Sequence, residues 1–208
     1  WVWAGTDGSL AQALTWAQRW QAGNAADVGQ IDVGDVRGNL VSGGSIGRLV
    51  WTRDGLRAEA EGVQIELGAG FWFAALRGQL HVASLAMDTL RITDARPVQP
   101  DEPRVPLESL TLPLPVDANV AIDRVIVEGV RAIDLTDLRA RYRHGQADAT
   151  LGVADAHTLD IASLQVAGGR YRAQATLGAQ APMPLRLQLQ STLQATVPDG
   201  QSLDLRAR

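Results

Sequence analysis

From residue 30 onward the sequence alternates apolar and polar residues with a period of two, and only one short stretch before it has a helical period. Period two is the pattern of strands with one apolar and one polar face. Leu56, Ala58 and Ala60 alternate with Arg57, Glu59 and Glu61. Val63, Ile65 and Leu67 continue after a one-residue slip at Gly62, which predicts a bulge. Leu80 and Val82, then Leu90 and Ile92, keep the habit, as do NVAIDRVIV, ADATLGV, TLDIASLQV and YRAQATL. The cleanest case sets Leu185, Leu187 and Leu189 against Arg186, Gln188 and Gln190. The pairs DG, GG and HG and the triplet PDG punctuate these runs as turns. The pattern predicts an antiparallel meander of roughly ten or more strands.

The helical stretch is Ser9 to Trp20. Leu10, Ala13, Leu14, Ala17 and Trp20 share one face with Trp16 at its edge, and Thr6, Asp7 or Ser9 can cap it. ARPVQPDEPRVP, residues 95–106, is too rich in proline and charge for a strand or helix interior. It either separates a first section of sheet (30–94) from a second (107–208) or is an excursion within one continuous sheet.

One short helix cannot cover so much apolar face. Leaving a Leu or Val in water forfeits about 1.5–3 kcal/mol, and a domain's net stability is only about 5–15 kcal/mol. Three arrangements solve this: a sandwich of two sheets, a closed barrel, or a curled sheet whose groove holds something other than protein. The apolar positions are aliphatic, with no Trp or Phe after residue 73. Such a lining suits acyl chains.

The net charge of −4 argues against nucleic acid. There is no cysteine, so disulfides and thiolate metal sites are excluded. All 19 basic residues are Arg, as expected of a biased composition. His81, His144 and His157 lie far apart without a pairing pattern and read as surface or structural groups. No HExxH, G-x-S-x-G or P-loop is present, and GGSIG at 43–47 reads as a turn. No catalytic residue, metal or cofactor is expected, and the chain reads as a non-enzyme. Arg139, Arg141 and Arg143 alternate on one strand, either holding anionic headgroups or facing solvent.

The run GTDGSLAQALTWAQRW, then VGDVRGNLVSGGSIGRLVW, GLRAEAEGVQIEL and LRGQLHVASLAMDTLRI, resembles the start of TamB-like proteins, relatives of the AsmA-like group. The likeness continues through LPVDANVAIDRVIVEGV and LRLQLQSTLQA. It implies a curled antiparallel sheet (a β-taco) in the periplasm, anchored to the inner membrane and carrying phospholipid toward the outer membrane. A second implied role is a scaffold for outer-membrane protein assembly, and a β-sandwich interaction module is a third reading. The family's TamA-type barrel partner would bind through regions absent here. On this reading the chain is a piece of something longer, starting at Trp1 without Met. Residues 1–29 are then membrane-proximal, with Trp1 and Trp3 at the membrane interface and Leu10, Leu14, Trp16, Ala17 and Trp20 capping the groove end. The expected groove lining is Leu56, Ile65, Leu67, Leu80, Val82, Val120, Ile122, Val125 and Val127, continued by Leu151, Val153, Leu159, Ile161, Leu177, Leu185, Leu187 and Leu189.

Overall fold

A computed structural model describes residues 3–22, 29–68, 70–95, 109–112, 114–129, 132–196 and 202–207. Ten strands form one sheet in chain order. They are β1 (Gln30–Asn39), β2 (Gly43–Arg53), β3 (Leu56–Glu66), β4 (Leu80–Asp94), β5 (Val116–Glu128), β6 (Ile133–Asp148), β7 (Val153–Val166), β8 (Gly169–Gly178), β9 (Leu185–Thr196) and β10 (Ser202–Ala207). Helix α1 (Ser9–Ala22) precedes the sheet, and the short α2 (Phe71–Leu76) joins β3 to β4.

Neighbours pair antiparallel except at β4 and β5, which run parallel. The expected meander is therefore mixed. A parallel pair needs a crossover of about a dozen or more residues, and the proline-rich excursion lies between these two strands.

The expected curl is corrected as well. The sheet is neither closed nor strongly curled, and β1 and β10 remain separate edges. A single layer also excludes the sandwich. The polar face offers a physical reason. Arg141 is bonded to Asp117, Arg143 to Asp160, Arg139 to Asp123 and Arg124 to Asp134, each from one strand to its neighbour. These pairs draw the polar side chains of β5–β7 together, and among the described residues nothing comparable pulls the apolar face inward.

A backbone irregularity crosses most of the sheet at one level. Two apolar residues flank two others in Val33–Val36, Ile46–Leu49, Ala60–Val63, Met87–Leu90, Ile122–Val125, Leu135–Leu138 and Ile161–Leu164. The registers place these segments side by side: Val36 faces Ile46, Leu49 faces Ala60, Leu90 faces Val125, and Ile122 faces Leu138. Between β6 and β7 the register shifts at the same level. One extra residue in a strand would turn its remaining side chains to the other face. Because neighbouring strands take the extra residue together, pairing survives and the apolar face stays on one side. Positive φ angles mark the row at Asp35 (56°), Gly62 (63°) and Asp137 (52°).

Helix α1 covers the β1–β3 end of the apolar face. Leu14, Val33, Val36, Leu49 and Ile65 pack around buried Ile46, Ala60 and Val63. The helix start is fastened by Ser9, which is buried, donates from Oγ to the Ala4 carbonyl and accepts from the Leu40 N–H. The N–H of Gly8 also donates to the Gly38 carbonyl.

Gly62 is required twice over. Its φ is positive, and a Cβ there would lie 1.9 Å from an Asp88 carboxylate oxygen. Gly62→Ala is expected to lower stability by about 1–3 kcal/mol in urea unfolding. Gly34→Ala is the control, since its φ is ordinary and nothing lies within 4 Å. It should be neutral to slightly stabilising.

Candidate functional site

Pairing carries the apolar face across the whole sheet. On β3, Leu56 and Ile65 share it; Ile65 faces Leu85 of β4. Leu80 and Val82 face Val116 and Ala118, while Val120, Ile122, Val125 and Val127 face Leu85, Met87, Leu90 and Ile92. Leu159 and Ile161 of β7 face Ala175 and Ala173 of β8. Those alanines face Leu187 and Leu189 of β9, and Leu177 faces Leu185. Leu67 follows β3, Leu151 sits in the turn before β7, and Val153 begins that strand.

These residues therefore come together on one side, but not as the wall of a groove. Leu185, Leu187 and Leu189 are 65%, 61% and 52% exposed. The molecule exposes 14,092 Å², against about 9,400 Å² for a compact monomer of this mass. The expected lipid conduit, and the assembly scaffold expected to use the groove or exposed strand edges, are corrected: among the described residues there is no curled apolar groove or lipid-binding architecture.

At side-chain scale the open face has relief. Ala173 and Ala175 form a low floor on β8, between Leu159 and Ile161 on β7 and Leu187 and Leu189 on β9. The two aliphatic ridges stand two strand spacings apart, about 9.6 Å. That is a distance between strand axes, so the flanking side chains leave a furrow that takes one ridge of side chains from an α-helix of about 10 Å diameter lying on the sheet. The furrow extends over the five residues from Leu185 to Leu189, four residue spacings or about 14 Å.

One end of the furrow is crossed by a strap, described at residues 109–112 and 114–115. The Leu110 N–H donates to the Ala179 carbonyl at 2.7 Å, and the Leu80 N–H donates to the Pro115 carbonyl at 2.8 Å. Between these ties lie two histidines that face each other across the β6–β7 pair. The rings of His144 and His157 are 4.5 Å apart, and His144 is 3% exposed. The His157 Nε2–H donates to the Leu110 carbonyl, and its Nδ1 accepts the Tyr142 hydroxyl at 2.7 Å. His144 Nδ1–H donates to the Leu114 carbonyl at 3.4 Å, and its Nε2 accepts the Leu112 N–H at 3.5 Å. Burial and, secondarily, Asp155 push the Tyr142 hydroxyl pKa upward. Reading the histidines as isolated missed this pair. The signal lay in the hairpin: residues 144 and 157 are nearly equidistant from the turn at 149–152.

The polar face has a depression of about 760 Å³, bordered by Arg139, Arg141, Arg172, Gln174, Gln188 and Gln190. Arg139 and Arg141 are already engaged by carboxylates. Elsewhere on this face Glu59 is held by Arg48 and Arg57, and its pKa is lowered by hydrogen bonds from both. Hydrogen bonding from Arg141 likewise lowers the pKa of Asp117. Across β5–β7 Arg139, Arg141 and Arg143 each pair with a carboxylate, which favours their solvent-facing reading. Among the described residues no three His, Asp or Glu side chains could hold a metal ion.

Two N-terminal aromatics pack on one another. Trp3 stacks on Trp16 of α1 at 5.5 Å, and its indole N–H donates to Gln12 Oε1 at 2.7 Å. Of the expected cap, Leu10 is buried and Leu14 joins the core, while Trp16 is exposed. Trp1 and the side chains of Ala17 and Trp20 lie outside the described residues. No helix among those described is long and apolar enough to cross a membrane.

No family model, curated protein or solved structure matches this chain. The family resemblance thus stands on the quoted residues alone.

The Asp117–Arg141 pair gives a pH prediction. The Asp117 carboxyl is depressed in the folded chain, so its contribution is full above its usual 3.8 and is lost as pH falls through the lower folded value. Asp117→Asn should cost about 0.5–1.5 kcal/mol near pH 7, with the difference from the parent shrinking in strong acid, as read by urea unfolding.

Proposed function

We propose that the chain is a non-catalytic binding module whose β7–β9 furrow receives an amphipathic α-helix from a protein partner. The observation that carries this reading is the exposed row Leu185, Leu187 and Leu189 beside the alanine floor of β8. Two further arguments name the occupant. The furrow takes one ridge of a helix's side chains, and its length accommodates about two and a half helical turns. The same face already takes one helix, since Leu14 of α1 packs on the β1–β3 end.

The energetics are in proportion. Burying three leucines that are half to two-thirds exposed stabilises a complex by about 3–5 kcal/mol. The partner's own apolar stripe adds a similar amount, and immobilisation costs part of the total. The result is a reversible dock of the helix-in-groove kind, read by apolar residues at i, i+3, i+4 and i+7.

A fluorescent peptide with the α1 sequence SLAQALTWAQRWQA serves as a probe, because its apolar stripe already suits this face. Fluorescence anisotropy should give a dissociation constant of roughly 10–100 µM, about −5.5 to −7 kcal/mol. Leu187→Arg sits at an exposed position, so the fold should persist while affinity drops at least tenfold. A photocrosslinker at Ala175 should capture the peptide. Unchanged affinity in Leu187→Arg, or crosslinks confined to β1–β3, would overturn the proposal.

A further inference from the structure

The polar face changes character at β8. From Ile161 to Pro198 the sequence holds Arg170, Arg172 and Arg186 but no Asp or Glu, in a chain of net charge −4. Elsewhere on this face arginines meet carboxylates, as Arg48 meets Glu59 and Arg124 meets Asp134. On β8 and β9 the side chains of Arg170, Arg172, Gln174, Arg186, Gln188 and Gln190 have no hydrogen-bond or ion-pair partner among the described residues. The neighbouring acids are already engaged. Asp160 is held by Arg143, and Asp148, which lies in the field of Arg186, accepts the Thr150 and Leu151 N–H groups. We propose that this part of the polar face binds an extended acidic peptide laid along β8 and β9.

The registers set these groups in a ladder. Arg170 lies beside Thr192, Arg172 beside Gln190, Gln174 beside Gln188, and Thr176 beside Arg186. The 760 Å³ depression adjoins a second of about 360 Å³, and the two share Asp160, Gln174 and Gln188. One trough therefore runs from the Arg172 row to the Arg186 row, four residue spacings or about 14 Å. Side chains on one face of a strand recur every two residues, about 6.8 Å, and so do those on one side of an extended peptide. Arg170 and Arg172 are one such step apart, as are Gln188 and Gln190. A peptide lying along the strands thus stays in step with the ladder. Its carboxylates at alternate positions meet guanidinium forks, and its backbone groups meet carboxamides that both donate and accept.

Single-stranded nucleic acid fits less well, because its bases need aromatic platforms. The two tyrosines of β6–β9 pair with apolar-face residues, Tyr142 with Leu159 and Tyr171 with Leu164. Exposed ion pairs are individually weak and are screened by salt, so the expected complex is weak and salt-sensitive. The trough lies on the face opposite the helix furrow and uses none of its leucines, so it stands or falls independently of the helix-docking reading.

An NMR titration of the full chain with the peptide DTDTDTDTDT at low salt tests the site. The dissociation constant should be roughly 0.1–1 mM. The side-chain amides of Gln174, Gln188 and Gln190 and the Arg172 Nε–H should shift, and added salt should weaken binding. Arg172→Gln/Arg186→Gln changes two exposed side chains, so the backbone spectrum should persist while affinity falls about tenfold. Arg53→Gln, at the far end of β2, should bind as the parent does. The peptide DDDDDTTTTT has the same charge but sets fewer carboxylates on one side, and it should bind about threefold more weakly. Absence of shifts on β8 and β9, parental affinity in the double variant, or equal affinity for the two peptides would each sink the proposal. Tighter binding of an oligothymidylate of equal charge would also overturn it, by giving the trough to nucleic acid.

Discussion

Register is the constraint on which the rest depends. A strand with an odd extra residue sends every later side chain to the opposite face. In this sheet the extra residue recurs at one level across β1 to β7. The sheet keeps a single apolar side because the irregularity is shared. The core under α1, the alanine floor of β8 and the histidine pair all inherit their positions from that agreement. At Gly62 tolerance is small, with Asp88 occupying the space a side chain would need.

The two faces solve the problem of exposure differently. On the polar side, carboxylates and guanidinium groups on neighbouring strands satisfy one another, and exposed pairs of this kind add little stability each. They keep the face wet and specific in its register. On the apolar side α1 covers one end, the strap crosses part of the other, and the leucines of β9 are left to solvent. Contiguous apolar surface of this sort marks an interaction site more often than an accident.

Much of this was legible in the sequence. The alternation located strands and their apolar positions, and Leu10 and Leu14 marked the helix face that reaches the core. The slip at Gly62 was visible as well. Its recurrence on neighbouring strands was not read as a row, because a row is a relation between strands. The parallel β4/β5 pair was hidden for a related reason: the excursion at 95–106 marks a long connection but not the direction in which the chain returns. The curl failed on physics. Alternation dictates that one face is apolar, but not whether the sheet bends around it. The stacking of Trp3 on Trp16 and its bond to Gln12 were not legible, because they depend on how the chain enters α1.

The β4/β5 pair has a kinetic consequence. Every other neighbouring pair of strands joins segments adjacent along the chain, so β1–β4 and β5–β10 can each assemble by closing short loops. The parallel pair joins Leu80 to Val116 and Thr93 to Glu128, 36 and 35 residues apart. Closing that longer loop costs more entropy before any bond repays it. Two half-sheets therefore form early and independently, and the seam between them zips last. Until it does, each half exposes an extra strand edge, which makes the seam the point where this chain is most open to pairing with the wrong partner.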